Sequence, residues 1–133
     1  MYNMPMRDEV YFKIEGLPVS ENKAVRMSSR GGYKTKEFKE WEELVALTQK
    51  EKKIDCSEWY GCEIIVHMPL YCKNGSIKRR DSHNMIKYAI DTTLKKVRDT
   101  NGEEIDDCRI IEVSECKADS KDEYTEITFY CIG

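Results

Sequence analysis

The run from Arg79 to Asp91 reads R-R-D-S-H-N-M-I-K-Y-A-I-D, and a second acidic knot, E-E-I-D-D, ends at Asp107. Two separated carboxylate clusters, one beside arginines and a lysine one helical step away, are the parts that metal-assisted chemistry on a phosphate requires. Hard divalent cations such as Mg2+ take oxygen ligands from Asp and Glu, activate water and neutralise charge on a phosphodiester. A nuclease is therefore the first expectation. Each part also has a plainer reading. Asp81 or Ser82 is most simply a helix N-cap, and Lys87 with Asp91 an i,i+4 surface pair. Adjacent carboxylates repel unless solvated or neutralised, so Asp106-Asp107 fits both a metal site and an exposed turn.

The elements that would carry these residues follow from hydrophobic periodicity. Val10 to Leu17 alternates, with Val10, Phe12 and Ile14 on one face, and Gly16 and Pro18 close it as a first strand. Glu21 to Tyr33 is polar, basic and contains Gly31-Gly32, which predicts a loop. Thr35 is an N-cap for a helix to about Lys53, with Phe38, Trp41, Leu44, Val45 and Thr48 at helical spacing. A second strand runs from about Trp59 to Leu70. A second helix starts near Asp81 or Ser82 and reaches about Arg98, its buried stripe being Ile86, Ile90, Leu94 and Val97, and Asn101-Gly102 ends it. On that helix Asn84, Lys87 and Asp91 share a sector of roughly 60 degrees, so one polar face holds an amide, an ammonium and a carboxylate. Two further strands, Arg109 to Lys117 and Glu123 to Ile132, read as a hairpin turning at Ala118 to Asp122. The expected fold is α/β (α+β): one compact domain, a mixed sheet packed with two main helices, in the order strand, helix, strand, helix, strand, strand.

Bulk properties bound the function. At 133 residues the chain is the size of one domain with its own core. Its longest apolar stretch, around Ile64 to Leu70, is interrupted by His67 and Pro69 and is too short to span a bilayer. The N-terminus has no apolar signal-peptide core, which makes a cytoplasmic protein without membrane contact the expectation. Six cysteines lack paired spacings and are read as reduced thiols, several on buried strand faces. In a strand, Cys62 and His67 face opposite ways, which argues against one tetrahedral zinc site. The net charge of −3 does not advertise nucleic-acid binding, yet basic residues cluster between Lys23 and Lys39 and again between Lys73 and Arg80. Such patches can steer a polyanion, although either one alone is more simply a solvated surface.

The ordered combination is similar to the RusA family of Holliday-junction resolvases, whose signature is R-x-D-x-D-N-x-x-K-x-x-x-D followed by D-D before a strand. Arg80 directly precedes the first acid here, and the matching positions are Asp81, His83, Asn84, Lys87, Asp91, Asp106 and Asp107. Upstream, Pro18, Ser20, Asn22, Arg26, Arg30, Gly31, Gly32, Tyr33 and Thr35 resemble the family's P-x-S-x-N, basic glycine-containing loop and aromatic-x-T helix start.

The resemblance covers most of the chain. It implies a magnesium-dependent endonuclease, acting as a homodimer without a small-molecule cofactor, that nicks opposed strands of a four-way DNA junction. By the same resemblance Asp81 and Asp107 would bind the metal and Lys87 would face the scissile phosphate. Arg79, Arg80 and the loop carrying Arg26, Arg30, Lys34 and Lys36 would engage the DNA backbone. Asn84 would fix the turn, and Asp91 would orient Lys87 or brace the helix. One position departs: His83 stands where the family has a second acid. Imidazole suits Mn2+ or another transition ion better than Mg2+, which leaves His83 as ligand, as general base, or as the mark of a protein that binds junctions without cutting them.

Overall fold

Val10, Phe12 and Ile14 are buried while Glu9, Tyr11 and Lys13 are exposed, and this alternation forms β1 (Glu9–Ile14). The computed structural model describes residues 8–19, 25–28, 31–78 and 86–132. After β1 come β2 (Val25–Ser28) and β3 (Gly31–Lys34), α1 (Lys36–Thr48), a two-residue β4 (Lys52–Lys53) and β5 (Trp59–Met68). The chain continues through α2 (Ile86–Leu94), a two-residue β6 (Val97–Arg98), a 3-10 turn at Asp107–Arg109, β7 (Ile110–Asp119) and β8 (Tyr124–Ile132). The architecture is mixed α+β, as the sequence predicts.

The main sheet has the order β1-β8-β5-β7; β5 runs antiparallel to β8 and parallel to β7. One face buries Phe12, Ile14, Cys62, Ile64, Val66, Met68, Ile127 and Phe129 against Phe38, Trp41 and Val45 of α1 and Ala89, Ile90 and Leu94 of α2. The two helices meet through an edge-on contact between the Phe38 and Tyr88 rings, 4.7 Å between centroids. That contact ties α2 to α1, while Ala89, Ile90 and Leu94 seat it on the sheet.

Several elements differ from their sequence expectation. Within Glu21 to Tyr33, expected as a loop, β2 and the start of β3 pair antiparallel, Val25 standing opposite Lys34 and Ser28 opposite Gly31. Thr35 does cap α1, accepting from the Phe38 N–H at 3.4 Å, but the helix ends at Thr48, where Gln49 turns extended. Helix α2 likewise ends at Leu94 rather than Arg98. Both early ends have one cause: β4 and β6 leave their helices to form a short parallel ladder, Lys52 with Val97 and Lys53 with Arg98. Val97 is fully buried as expected, but from a strand.

The expected hairpin between the last two strands does not form. Strand β5 lies between β7 and β8, and β7 is left as an edge with Ile111 and Val113 exposed. The cysteines also depart from expectation: Cys56 and Cys131 are joined in a disulfide with 5.4 Å between Cα atoms. Of the thiols, Cys62 is buried, whereas Cys72, Cys108 and Cys116 are exposed. Cys62 and His67 do lie on opposite faces of β5, His67 being paired with Glu126 on the side away from the helices.

Candidate acidic site at the α2–β7 junction

The segment after β6 folds back because Gly102 takes a positive φ of 82° and the Asp99 carboxylate accepts from the backbone N–H of Asn101 and Glu103, at 2.8 and 2.9 Å. This turn tucks Ile105 into the core, only 6% exposed, and leaves Asp106 and Asp107 at the surface. Asp106 is occupied structurally. Its side chain caps the 3-10 turn by accepting from the Cys108 N–H at 3.0 Å, and that backbone bond lowers its pKa. Asp107, the first residue of the turn, is free of that duty.

Arg109 holds the turn in place. Its guanidinium donates to the carbonyls of Glu58 and Ser57, both at 2.7 Å, and stacks over the Tyr60 ring at 5.3 Å. Two charge-assisted bonds from one planar fork fix position as well as energy. The start of β7 is therefore anchored to the start of β5.

Asp107 and Asp91 line one cavity of about 230 Å³, together with Leu94, Lys95, Glu104 and Ile105. Asp91 is half-buried on α2, and its pKa is raised, first by burial and then by the negative charge of Asp107; Lys87 and Lys95 oppose the shift. Like-charge proximity in a partly desolvated cleft is a cost that a bound cation would remove. Two carboxylates fit a hard divalent ion, but they are not a complete shell. Among the described residues no three His, Cys, Asp or Glu side chains gather closely enough to hold a metal.

The predicted site residues do not all converge. Asp91 and Asp107 are brought together, and Lys87 lies one turn before Asp91 on α2, exposed, with its ammonium 5.4 Å from the Tyr88 ring centre. Asp106 is adjacent but turned to capping. Arg79, Arg80, Asp81, His83 and Asn84 lie outside the described residues, as does Arg30; Arg26 is placed on β2 opposite Tyr33. Lys34 and Lys36 are matched by acids of α1: Lys34 bonds both oxygens of Glu42 at 3.0 and 3.2 Å, and Lys36 pairs with Glu40 at 3.7 Å. Their charge is thus partly neutralised at home.

Sequence reasoning assigned no role to Arg109 or Lys95, and Glu104 entered it only as part of the acidic run E-E-I-D-D. The only signal for Arg109 is its place directly after an acidic pair at a strand start, which does not reveal the distant carbonyls it clamps. No protein-family model matches the chain, and no curated protein matches it.

Proposed function

We propose that this protein is a divalent-metal-dependent endonuclease of branched DNA, in keeping with its resemblance to the RusA resolvases. The observation that carries the reading is the convergence of Asp91 and Asp107, from two different elements, on one cleft beside Lys87. Asp107 and Asp91, with Asp81 and His83 from the segment leading into α2, would hold a Mg2+ or Mn2+ ion. The chemistry such an ion supplies is acidified water and offset phosphate charge. The chain's own residues do the rest. Lys87 neutralises the non-bridging oxygens of the phosphate, and Arg109 keeps Asp107 aimed into the cleft. In this reading Asp91 moves from a brace for Lys87 to a carboxylate of the site.

A four-way junction is two-fold symmetric, so paired cuts call for a symmetric dimer of the protein. Labelled four-way junction and matched linear duplex, each with Mg2+ and with Mn2+, test the proposal. Junction-selective nicks that disappear in Asp107→Asn support it, and a Mn2+ preference points to His83 beside the ion. Tight junction binding without cutting in either metal would instead make this a junction-binding protein whose site has decayed at position 83.

A further inference from the structure

Residues 70–78, Leu-Tyr-Cys-Lys-Asn-Gly-Ser-Ile-Lys, form a small hairpin of their own between β5 and the segment that leads into α2. Lys78 N–H donates to the Leu70 carbonyl at 2.7 Å and Cys72 N–H to the Ser76 carbonyl at 2.7 Å. The tip is closed by Gly75, with φ of 86°, and by the Asn74 side chain, which accepts from the Ser76 N–H at 3.0 Å and its hydroxyl at 2.6 Å. The base is tied to the sheet, because Leu70 N–H donates to the Asp119 carboxylate at the end of β7, at 3.0 Å. A turn with this many internal bonds is held in one shape before it meets anything.

The hairpin presents an unusual surface. Tyr71 and Ile77 are antiparallel bridge partners, so their side chains stand side by side on one face, and they are 57% and 76% exposed. The segment carries Lys73 and Lys78 and no acid, in a chain of net charge −3. Its last residue directly precedes Arg79, Arg80 and Asp81. A rigid aromatic–aliphatic pair flanked by cations suits a ligand with flat apolar faces joined by anionic links. Nucleic-acid bases that have come unstacked meet that description, whereas fully stacked duplex hides their faces.

We propose that the hairpin is a wedge: Tyr71 and Ile77 pack against unpaired bases at a DNA branch point while Lys73 and Lys78 hold the adjoining phosphates. The inference rests on the nuclease reading and adds what makes the protein prefer branched DNA over duplex. In it, the branch opens at the hairpin, at the Asp119 end of β7, and the bound strand spans from there to the cleft of Asp91 and Asp107.

The test measures binding, not cutting. A four-way junction with 2-aminopurine at the crossover, and a linear duplex with the same base at its centre, are titrated with the whole protein without divalent metal. The wild type should brighten the junction, reporting an unstacked base, and bind it more tightly than duplex. Tyr71→Ser with Ile77→Ser should lose the brightening and weaken junction binding roughly 10-fold, with duplex binding unchanged. Tyr71→Phe should behave as the wild type. Lys73→Ala with Lys78→Ala should weaken both DNAs and flatten the salt dependence.

The wedge is overturned if the serine variant brightens and binds the junction like wild type, or if it loses junction and duplex affinity equally. It is also overturned if the serine variant changes only its self-association, which would make the pair a contact between copies. A wild type that binds neither DNA sinks the nuclease reading together with the wedge. Junction cutting that survives unchanged in the serine variant sinks the wedge alone.

Discussion

Asp107, just before β7, faces Asp91 of α2 across a shared cleft, and its negative charge adds to burial in raising the Asp91 pKa. The pair is held together by the fold: Arg109 anchors the turn that bears one acid, and Ala89, Ile90 and Leu94 seat the helix that bears the other in the core.

Asp91→Asn should therefore separate stability from activity. The folded pKa of Asp91 lies above its unfolded value, so the fold loses stability as pH rises through the folded pKa, and the charged form is a burden at neutral pH. Replacing it with Asn should raise the thermal midpoint slightly at pH 7 and make no difference near pH 3, where both states are protonated. Cleavage should fall by roughly 100-fold or more, the order expected for losing a site carboxylate. Melting curves at the two pH values with junction cleavage check both halves; a variant that is less stable at pH 7 would show that the ionised Asp91 is no burden on the fold.

Arg109→Ala removes both clamps on the carbonyls of Ser57 and Glu58. The expected loss is about 1–3 kcal/mol in urea unfolding. Activity should drop through kcat, because Asp107 would no longer be held in the cleft. Arg109→Lys, which keeps the charge but not the fork, should rescue little of either.

On the sheet face away from the helices, Glu126 accepts from the Tyr11 hydroxyl at 2.5 Å and pairs with His67, whose ring stacks on Tyr124 at 3.9 Å. The Tyr11 bond is the main cause that lowers the Glu126 pKa, and burial together with the same bond pushes the Tyr11 pKa up to about 12. A depressed carboxylate pKa stabilises the fold above the unfolded value and is lost as pH falls through the folded one. A raised tyrosine pKa stabilises the fold below the unfolded value and is lost as pH climbs towards 12. Glu126→Gln should thus cost about 1 kcal/mol at pH 7 and progressively less below pH 4. Tyr11→Phe should cost a similar amount at neutral pH and nothing at strongly alkaline pH. Melting both across pH checks the pattern, and a loss from Glu126→Gln that persists undiminished at pH 2 would refute it.

Cys56 and Cys131 are separated by 75 residues, so their bond closes a long loop. Crosslinks of that span stabilise by about 4 kcal/mol through the unfolded chain. Four thiols should react with Ellman's reagent after unfolding without reductant, and six with it. Cys56→Ser should melt well below the oxidised protein and be insensitive to dithiothreitol. Six reactive thiols without reductant would mean the bond does not form.

Much of the frame was readable in the sequence because it is written locally. The alternation of Val10, Phe12 and Ile14, the cap at Thr35, and the stripe of Ile86, Ile90 and Leu94 each follow from neighbours a few residues away. What escaped is non-local. Nothing in the alternation of β8 says that its neighbours are β1 and β5 rather than β7, since pairing leaves no mark on periodicity. The two-residue ladders of β4 and β6 are too short to carry a period, and Cys56 gives no hint of Cys131. The site was legible as residue types, and Asp107 could be singled out; that Asp91 would share its cleft depended on where α2 lies against β7. Asp81 and His83 lie outside the described residues, so their relation to that cleft belongs to the proposal.

The strand order β1-β8-β5-β7 also sets a schedule. During synthesis, β1 and β5 leave the ribosome long before the strand that must sit between them. Only when residues 124–132 have emerged can Phe12 meet Ile127 and Ile64 meet Ile127 from the other side. Until then two apolar strands wait without their common neighbour, so the nascent chain cannot hide them before β8 has emerged.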